Sequence, residues 1–156
     1  MTNIIIPTDL QMPAPANKIY PAGVVHLIWN SNNRNSKMKE EEKMPFINSK
    51  ITVKVSDEKK DVIKAKLGEA VQLIGKPESF LMVGFEDEYC LYFAGEKLEK
   101  GAFVSVDLYG SASSSACSGM TAKICQIYQE ELGIPGNHIY VEYRSTKDWG
   151  WNGSNF

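Results

Sequence analysis

Two stretches of the chain repeat the same order of residue types, and this internal repeat constrains the fold more than any other feature. Residues 74–85 align with residues 132–143, and each stretch reads as a helix end, a glycine, a proline turn and an apolar strand. Glycine fits the left-handed position just past a helix, and a proline soon afterwards cannot continue that helix. Each stretch follows an alternating apolar segment and an apolar stripe with helical spacing. The repeat therefore predicts two βαβ units.

The apolar positions of the two units set the expected arrangement of strands and helices. Ser56 is placed to cap the first helix. Right-handed crossovers in both units predict a four-stranded mixed sheet with two helices on one face. The fold class is therefore mixed, α/β (α+β). The other face of the sheet then needs a cover, and no further helices remain, so we expect oligomerisation. The positions used are Ile47, Ile51, Val53, Val55, Ala102, Val104, Val106 and Leu108 for the first strand of each unit, and Ile63, Leu67, Ala70, Val71, Ile74, Met120, Ile124, Ile127, Tyr128 and Leu132 for the helices.

Residues 1–43 differ from the repeat region. They contain four of the seven prolines, a polar tract at 30–36 and two short apolar clumps without sustained periodicity. We therefore divide the chain into a leader, 1–43, that is disordered or reflects a misassigned start, and a domain, 44–156, that contains both repeats. The run 39–43 can be encoded entirely by purines, as a translated ribosome-binding site would be, which favours initiation at Met44. The alternative is a charged linker, since charge runs are usually solvated.

Composition argues against several classes of function. The formal net charge is −2 and no local Lys/Arg cluster occurs, so we expect no nucleic-acid binding. No apolar run is long enough to span a membrane and no signal peptide is recognisable, so we expect a cytoplasmic protein or one secreted without a signal peptide. Three cysteines without CxxC spacing and two histidines predict neither a metal site nor a disulfide framework. We expect Cys90, Cys117 and Cys125 to be small buried apolar residues.

Four motifs together carry a resemblance to a known family. They are Met44-Pro45-Phe46-Ile47, Gly75-Lys76-Pro77, Ile139-Tyr140-Val141-Glu142-Tyr143 and the ending Trp149-Gly150-Trp151-Asn152-Gly153-Ser154-Asn155-Phe156. Across residues 44–156 the chain resembles the macrophage migration inhibitory factor family of the tautomerase superfamily, and the ending is its most specific part. The resemblance implies a homotrimer whose three sheets enclose a central barrel, with active sites at subunit interfaces. It also implies cofactor-independent keto–enol tautomerisation of phenylpyruvate-like α-keto acids, with dopachrome-type isomerisation beside it.

By this resemblance Pro45 is the general base. Its nitrogen is basic only when Pro45 is the first residue, because within the chain it forms an amide without a basic lone pair. Removal of an initiating Met44 exposes a secondary amine, and burial or a nearby cation favours the neutral form that can accept a proton. The other interpretation is a proline that merely begins a strand. We therefore expect isomerase activity from a chain that begins at Pro45 and none from the full 156-residue chain.

The remaining site residues are also implied by the resemblance. Lys76 corresponds to the lysine that binds the substrate carboxylate, and Ile134 stands at the equivalent place of the second repeat, so the turn itself does not require a cation. Glu142 stands where the compared family member has an amide, and it would repel an anionic substrate unless protonated or paired with Lys76. The other expected substrate-binding residues are Tyr109 through its backbone, Tyr140 donated by a neighbouring subunit, and Trp149, Trp151 and Phe156 in the pocket wall.

Two other functions stay open at this level. The first is a cytokine-like signalling or binding protein with a vestigial pocket and an unknown receptor, because a fold does not fix a function. The second is a related reaction such as decarboxylation or dehalogenation. That reaction usually needs additional arginines in the pocket, and Arg144 is the only arginine after Met44. We rank it last.

Overall fold

The computed structural model describes residues 44–155. The predicted leader, 1–43, and the predicted pocket residue Phe156 lie outside the described residues, so both stay predictions. The elements in chain order are strand β1 (Pro45–Ile51), helix α1 (Asp57–Ala70), strand β2 (Met82–Glu86), strand β3 (Tyr92–Phe93), strand β4 (Glu96–Lys97), strand β5 (Ala102–Tyr109), helix α2 (Ser114–Leu132), strand β6 (Ile139–Thr146), strand β7 (Gly150–Trp151) and strand β8 (Ser154–Asn155). Single 3₁₀ turns lie at Val71–Ile74, Glu78–Phe80 and Gly136–His138.

Four strands form one mixed sheet in the order β2-β1-β5-β6. The pairs β1–β2 and β5–β6 are parallel, and each pair is joined through a helix, as a βαβ unit requires. The central pair, β1–β5, is antiparallel. The predicted fold of two βαβ repeats in a four-stranded mixed sheet is confirmed.

Both helices cover the same face of the sheet, as predicted. The inward strand side chains and the helix stripes form a single buried cluster, because alternate strand residues and every third or fourth helical residue point the same way. The cluster consists of Ile47, Ile51, Val55, Ile63, Leu67, Ala70, Val71, Ile74, Ala102, Val104, Val106, Leu108, Met120, Ile124, Ile127, Tyr128, Ile134 and Ile139.

Local signals explain where the helices begin and end. The Ser56 side chain caps α1 by accepting from the Lys59 backbone N–H, and Ser113 caps α2 in the same way. Gly75 and Gly133 follow the two helical segments in the left-handed conformation, with φ of 71° and 64°. Glycine takes up this conformation without the steric penalty that other residues carry.

Two details of the first strand differ from the prediction. Strand β1 ends at Ile51, so the assignment of Val53 and Val55 to it is wrong, although Val55 is still buried beyond its end. Ser49 occupies an inward position that the apolar pattern skipped, and its hydroxyl forms a hydrogen bond with that of Tyr128 from α2. Burial raises the pKa of Tyr128 to about 12. The pair satisfies two buried polar groups in the core.

Within residues 44–155 neither helix covers the opposite face of the sheet, which we name the open face. It carries alternate residues of the four strands, and apolar, aromatic, polar and charged side chains are mixed across it. Its members are Phe46, Asn48, Lys50, Met82, Gly84, Glu86, Phe103, Ser105, Asp107, Tyr109, Tyr140, Glu142, Arg144 and Thr146.

The cysteines do not share one environment. Cys117 and Cys125 are partly buried on α2, and burial raises the pKa of the Cys125 thiol. Cys90 is exposed, so the prediction that all three are buried is wrong for this residue. It lies in the connection after β2, outside the repeat units whose apolar patterns define the core. Among residues 44–155, neither helix has the length and apolar character needed to cross a membrane.

Candidate active site

Pro45 is the first residue of β1 and lies buried at one end of the sheet. It pairs with Leu108 near the end of β5. The preceding residue, Met44, is also buried, at 8% exposure. The Met44 carbonyl oxygen accepts a hydrogen bond of 3.1 Å from the backbone N–H of Tyr109. The nitrogen of Pro45 is therefore separated by a single carbon from an oxygen atom that Tyr109 binds.

Lys76 reaches the same place from the turn after the first helix. Its side chain is buried, with the residue only 5% exposed, and its ammonium donates to the Tyr109 carbonyl oxygen at 2.9 Å. The backbone of Tyr109 thus links the lysine on one side with the Met44–Pro45 peptide on the other. Three of the predicted site residues, Pro45, Lys76 and Tyr109, are brought together within one chain.

The C-terminal aromatic segment begins at this same end of the sheet. Thr146, the last residue of β6, pairs with Tyr109. A short hairpin of β7 and β8 follows, turned by Asn152 and Gly153 with φ of 49° and 83°. Positive φ at both turn residues is the type I′ geometry for which Asn-Gly is a strong signal. Within this segment Trp149 is partly buried and Trp151 is 59% exposed.

Tyr140 lies at the other end of the sheet. It pairs with Phe103 at the start of β5, whereas Pro45 pairs with Leu108 near its end. At the rise of a β-strand the two positions are about 17 Å apart along β5. Tyr140 is 58% exposed and its ring meets Phe93 of β3 edge-on, with 5.9 Å between centroids. The register excludes Tyr140 from the Pro45 site of its own chain, and its role toward a neighbouring subunit stays a prediction.

Glu142 lies on the open face and is paired, but with a residue other than the one considered from sequence. Its carboxylate accepts a hydrogen bond of 3.0 Å from the guanidinium of Arg144. Lys76 is occupied with the Tyr109 carbonyl instead. The signal for this pair was present in the sequence, since residues two apart on a strand share a face. The same contact raises the pKa of Arg144.

Within residues 44–155, no group of three or more His, Cys, Asp and Glu side chains is arranged to hold a metal ion. Three groups at this end of the sheet can take part in chemistry. These are a buried ammonium, a backbone N–H and, in a chain that begins at Pro45, a secondary amine.

Comparison with known proteins agrees with this architecture. Residues 44–156 match the family profile described as macrophage migration inhibitory factor (MIF). The crystal structure of Leishmania major MIF2 is similar with a TM-score of 0.69 and 37% identity, over 73% of this chain and 98% of that one. A macrophage migration inhibitory factor homolog of Trichinella spiralis is 26% identical over 115 residues, which are 72% of this chain and all of the relative.

A similar fold also occurs in a fused 4-OT protein described as a symmetric trimer, with a TM-score of 0.63 and 24% identity, over 70% of this chain and 94% of that one. The segment matched here thus corresponds to nearly the whole length of the relatives that it resembles. The profile spans most of the chain, and the mixed sheet with two helices on one face is the fold of these structures. The chain belongs to the macrophage migration inhibitory factor family.

Proposed function

We propose that this chain, when it begins at Pro45, is a cofactor-independent keto–enol tautomerase that acts on aromatic α-keto acids such as phenylpyruvate. Membership of the family supports a tautomerase-like or cytokine-like function at the coarser level. The general base is Pro45, and the substrate carboxylate is bound by Lys76 and the backbone of Tyr109. Tyr140 and Glu142 of a neighbouring copy, with Trp149, Trp151 and Phe156, complete the pocket.

The observation that carries the proposal is the hydrogen bonding around the Met44–Pro45 peptide. The Met44 carbonyl oxygen accepts a hydrogen bond from the Tyr109 N–H at 3.1 Å, and the buried Lys76 ammonium donates one to the carbonyl oxygen of the same Tyr109. In a chain that begins at Pro45 this carbonyl is absent. An oxygen of a substrate carboxylate has the same accepting character and would take its place, close to the Pro45 nitrogen and a buried cation.

This arrangement supplies what proton transfer beside a ketone needs. The Lys76 cation disfavours a second positive charge nearby, so it favours the neutral form of the Pro45 amine. The amine removes a proton from the carbon next to the ketone: the C–H bond breaks, an N–H bond forms and the electron pair moves to the ketone oxygen. Protonation of that oxygen, with loss of the proton from the prolinium, gives the enol. The reverse sequence gives the ketone, and no atom is gained or lost.

The proposed assembly is a homotrimer with a site at each subunit interface. Two features support more than one copy. Neither helix in the described part of the chain covers the open face, and Met82 and Tyr140 on it are exposed to 69% and 58%. The register also keeps Tyr140 about 17 Å away from the Pro45 site of its own chain, so only another copy can bring it there. A protein with a similar fold is a symmetric trimer.

The test compares three proteins: one that begins at Pro45, one that retains Met44, and a Pro45→Gly variant with the same start. We expect phenylpyruvate turnover only from the first, with losses of at least about 100-fold in the other two, because each lacks the secondary amine that acts as base. Equal rates from the Pro45 protein and the glycine variant would remove Pro45 from the mechanism. The intact mass of the native protein then shows which form the cell makes.

The alternative, a cytokine-like binding protein with a vestigial pocket, stays a second prediction. It differs from the enzyme in what the Pro45→Gly variant retains. If the unsubstituted protein shows no turnover and the Pro45→Gly variant still binds the receptor, the alternative is favoured. Loss of turnover on substitution of a protein that was active before favours the enzyme.

A further inference from the structure

We infer that Arg144 is a positioning residue that makes the proposed site tolerate an anionic substrate, because it holds and neutralises the Glu142 carboxylate. This inference rests on the proposed function and adds a determinant of substrate class to it. Arg144 follows Glu142 by two positions on β6, so both side chains project from the open face. It is also the only arginine after Met44.

The contacts of Arg144 single out Glu142 as its main partner. One guanidinium nitrogen, Nη2, lies 3.0 Å from Glu142 Oε2 and 3.3 Å from Ser105 Oγ, which is on the neighbouring strand β5. Another nitrogen, Nε, lies 3.8 Å from Asp107 Oδ1, beyond hydrogen-bond distance. A charge-assisted hydrogen bond is roughly twice as strong as a neutral one. Arg144 therefore binds Glu142 on its own strand and Ser105 on β5, while its weaker contact reaches Asp107.

The charges of the open face show why this pair matters. Besides Arg144 and its two carboxylate neighbours, the face carries Lys50 and Glu86 on the far side of the sheet. Lys50 lies over the Tyr89 ring at 5.0 Å, and Glu86 accepts from Asn48 at 2.6 Å. Across β5 and β6 the only cation of the open face is thus Arg144. Without it, Glu142 and Asp107 would form an uncompensated negative patch, and this patch would repel a keto-acid carboxylate.

The Glu142–Arg144 pair also explains how a carboxylate can stand at position 142 in a site proposed to bind an anionic substrate. A Glu142 whose charge is offset by Arg144 still offers an oxygen that accepts a hydrogen bond from the substrate. The charge of the pair is close to zero, so the attraction exerted by Lys76 at the other side of the pocket is not cancelled. Arg144 acts through Glu142 and does not itself have to touch the substrate.

The experiment uses the protein that begins at Pro45 and two substrates, phenylpyruvate and its uncharged methyl ester. The variants are Arg144→Met, Arg144→Lys, Glu142→Gln and the double variant Glu142→Gln/Arg144→Met. We expect Arg144→Met to raise KM for the acid by roughly three- to fivefold, the range of a partly exposed ion pair, while kcat and the KM for the ester stay unchanged. Arg144→Lys should restore the KM, and Arg144→Met should have no effect when Glu142 is already glutamine.

Each other pattern overturns the inference. An equal rise of KM in the Glu142→Gln background would mean that Arg144 contacts the substrate directly. An equal rise for acid and ester would mean that the substitution merely distorts the sheet, and no rise at all would mean that Glu142 needs no compensation.

A binding measurement separates this inference from the proposed function. In the Pro45→Gly background, which lacks the base, calorimetry reports phenylpyruvate affinity without turnover. Suppose that the protein beginning at Pro45 shows no turnover, and that Arg144→Met lowers the phenylpyruvate affinity only when Glu142 is present. The proposed reaction then fails and the inference stands. If phenylpyruvate does not bind at all, the inference fails as well.

Discussion

The turns that end the two helical segments share one backbone and differ in one buried side chain. In both, a left-handed glycine is followed by a residue whose N–H bonds back to the preceding helical turn, at 3.3 Å for Lys76 and 3.4 Å for Ile134. In both, a proline and a single 3₁₀ turn lead into a parallel strand. Lys76 and Ile134 are almost equally buried, at 5% and 0% exposure.

The difference between the two turns separates what the fold needs from what the site needs. Isoleucine fills this position in the second repeat with apolar contacts alone, so the backbone does not require a cation there. Burial of an ammonium group is unfavourable unless it is hydrogen-bonded, and the Lys76 ammonium donates to the Tyr109 carbonyl oxygen. The proposed chemistry at the Pro45 end of the sheet supplies a reason for a lysine at position 76.

The largest expected effect comes from placing the cation in the other repeat. Ile134→Lys should lower the free energy of unfolding by about 3 kcal/mol, because the new ammonium would be buried without a prepared acceptor. Denaturant unfolding measures it. Ile134→Met is the matched control, since a volume-conserving apolar change costs less than about 1.5 kcal/mol. A lysine variant as stable as the methionine control would break the contrast between the two turns.

The reciprocal change should affect activity and leave the fold intact. Lys76→Ile, in the protein that begins at Pro45, should lower kcat/KM for phenylpyruvate by roughly tenfold to a hundredfold, as expected for a lost hydrogen bond to a charged group. The free energy of unfolding should change by less than about 1 kcal/mol, because an apolar residue replaces a buried charge. Lys64→Gln, an exposed lysine on α1, serves as the control. A Lys76→Ile variant that unfolds easily would make the lysine structural.

The smallest expected effect concerns the ion pairs that join the two repeats on the helix side. Glu131 of α2 lies 2.6 Å from Lys59 Nζ and 2.7 Å from Lys66 Nζ, both on α1. The hydrogen bond from Lys59, followed by that from Lys66, lowers the pKa of Glu131 from 4.5 to about 2. The carboxylate is thus favoured in the folded state. Its stabilising contribution is complete above about pH 4.5 and is lost as the pH falls toward 2.

Glu131→Gln should therefore lower the thermal midpoint at neutral pH and flatten its fall between pH 4.5 and 2. Thermal unfolding across this pH range measures the difference. Glu69→Gln, an exposed carboxylate on α1, should leave the pH profile unchanged. Parallel profiles for the Glu131 variant and the unsubstituted protein would show that the two helices do not depend on this contact.

Much of the fold was readable in the sequence, for reasons that these residues make clear. Gly75 and Gly133 mark the helix ends, and the apolar periods before them distinguish strand from helix. A four-stranded mixed sheet with two helices on one face then follows from two right-handed crossovers, whereas the strand order came from the structure. The two small hairpins were not predicted. The turn of the second, Asn152-Gly153, is a recognisable signal, whereas the first turns at Ala94-Gly95, with Ala94 at an uncommon φ of 51°.

The candidate site was only partly readable. The family resemblance named Pro45, Lys76 and Tyr109 one by one, and the structure added the hydrogen bonds that join them through the Tyr109 backbone. For Glu142 the sequence offers protonation or pairing with Lys76 as ways to offset its charge, whereas the structure pairs it with Arg144, two positions along the strand. Which of two cations the Glu142 carboxylate contacts depends on its distance from each, and these distances are set by tertiary packing.

The sequence alone determined the two repeats, the faces of their strands and helices, and the condition that Pro45 must be the first residue for its nitrogen to be basic. These follow from local rules: periodicity, turn chemistry and the electronic structure of an amide. Only the tertiary structure decided that Lys76 and Tyr109 converge on the Met44–Pro45 peptide, that Arg144 holds Glu142, and that Tyr140 lies at the far end of the sheet. Each of these depends on strand register and side-chain reach, because residues distant in sequence meet only after the sheet and helices have packed.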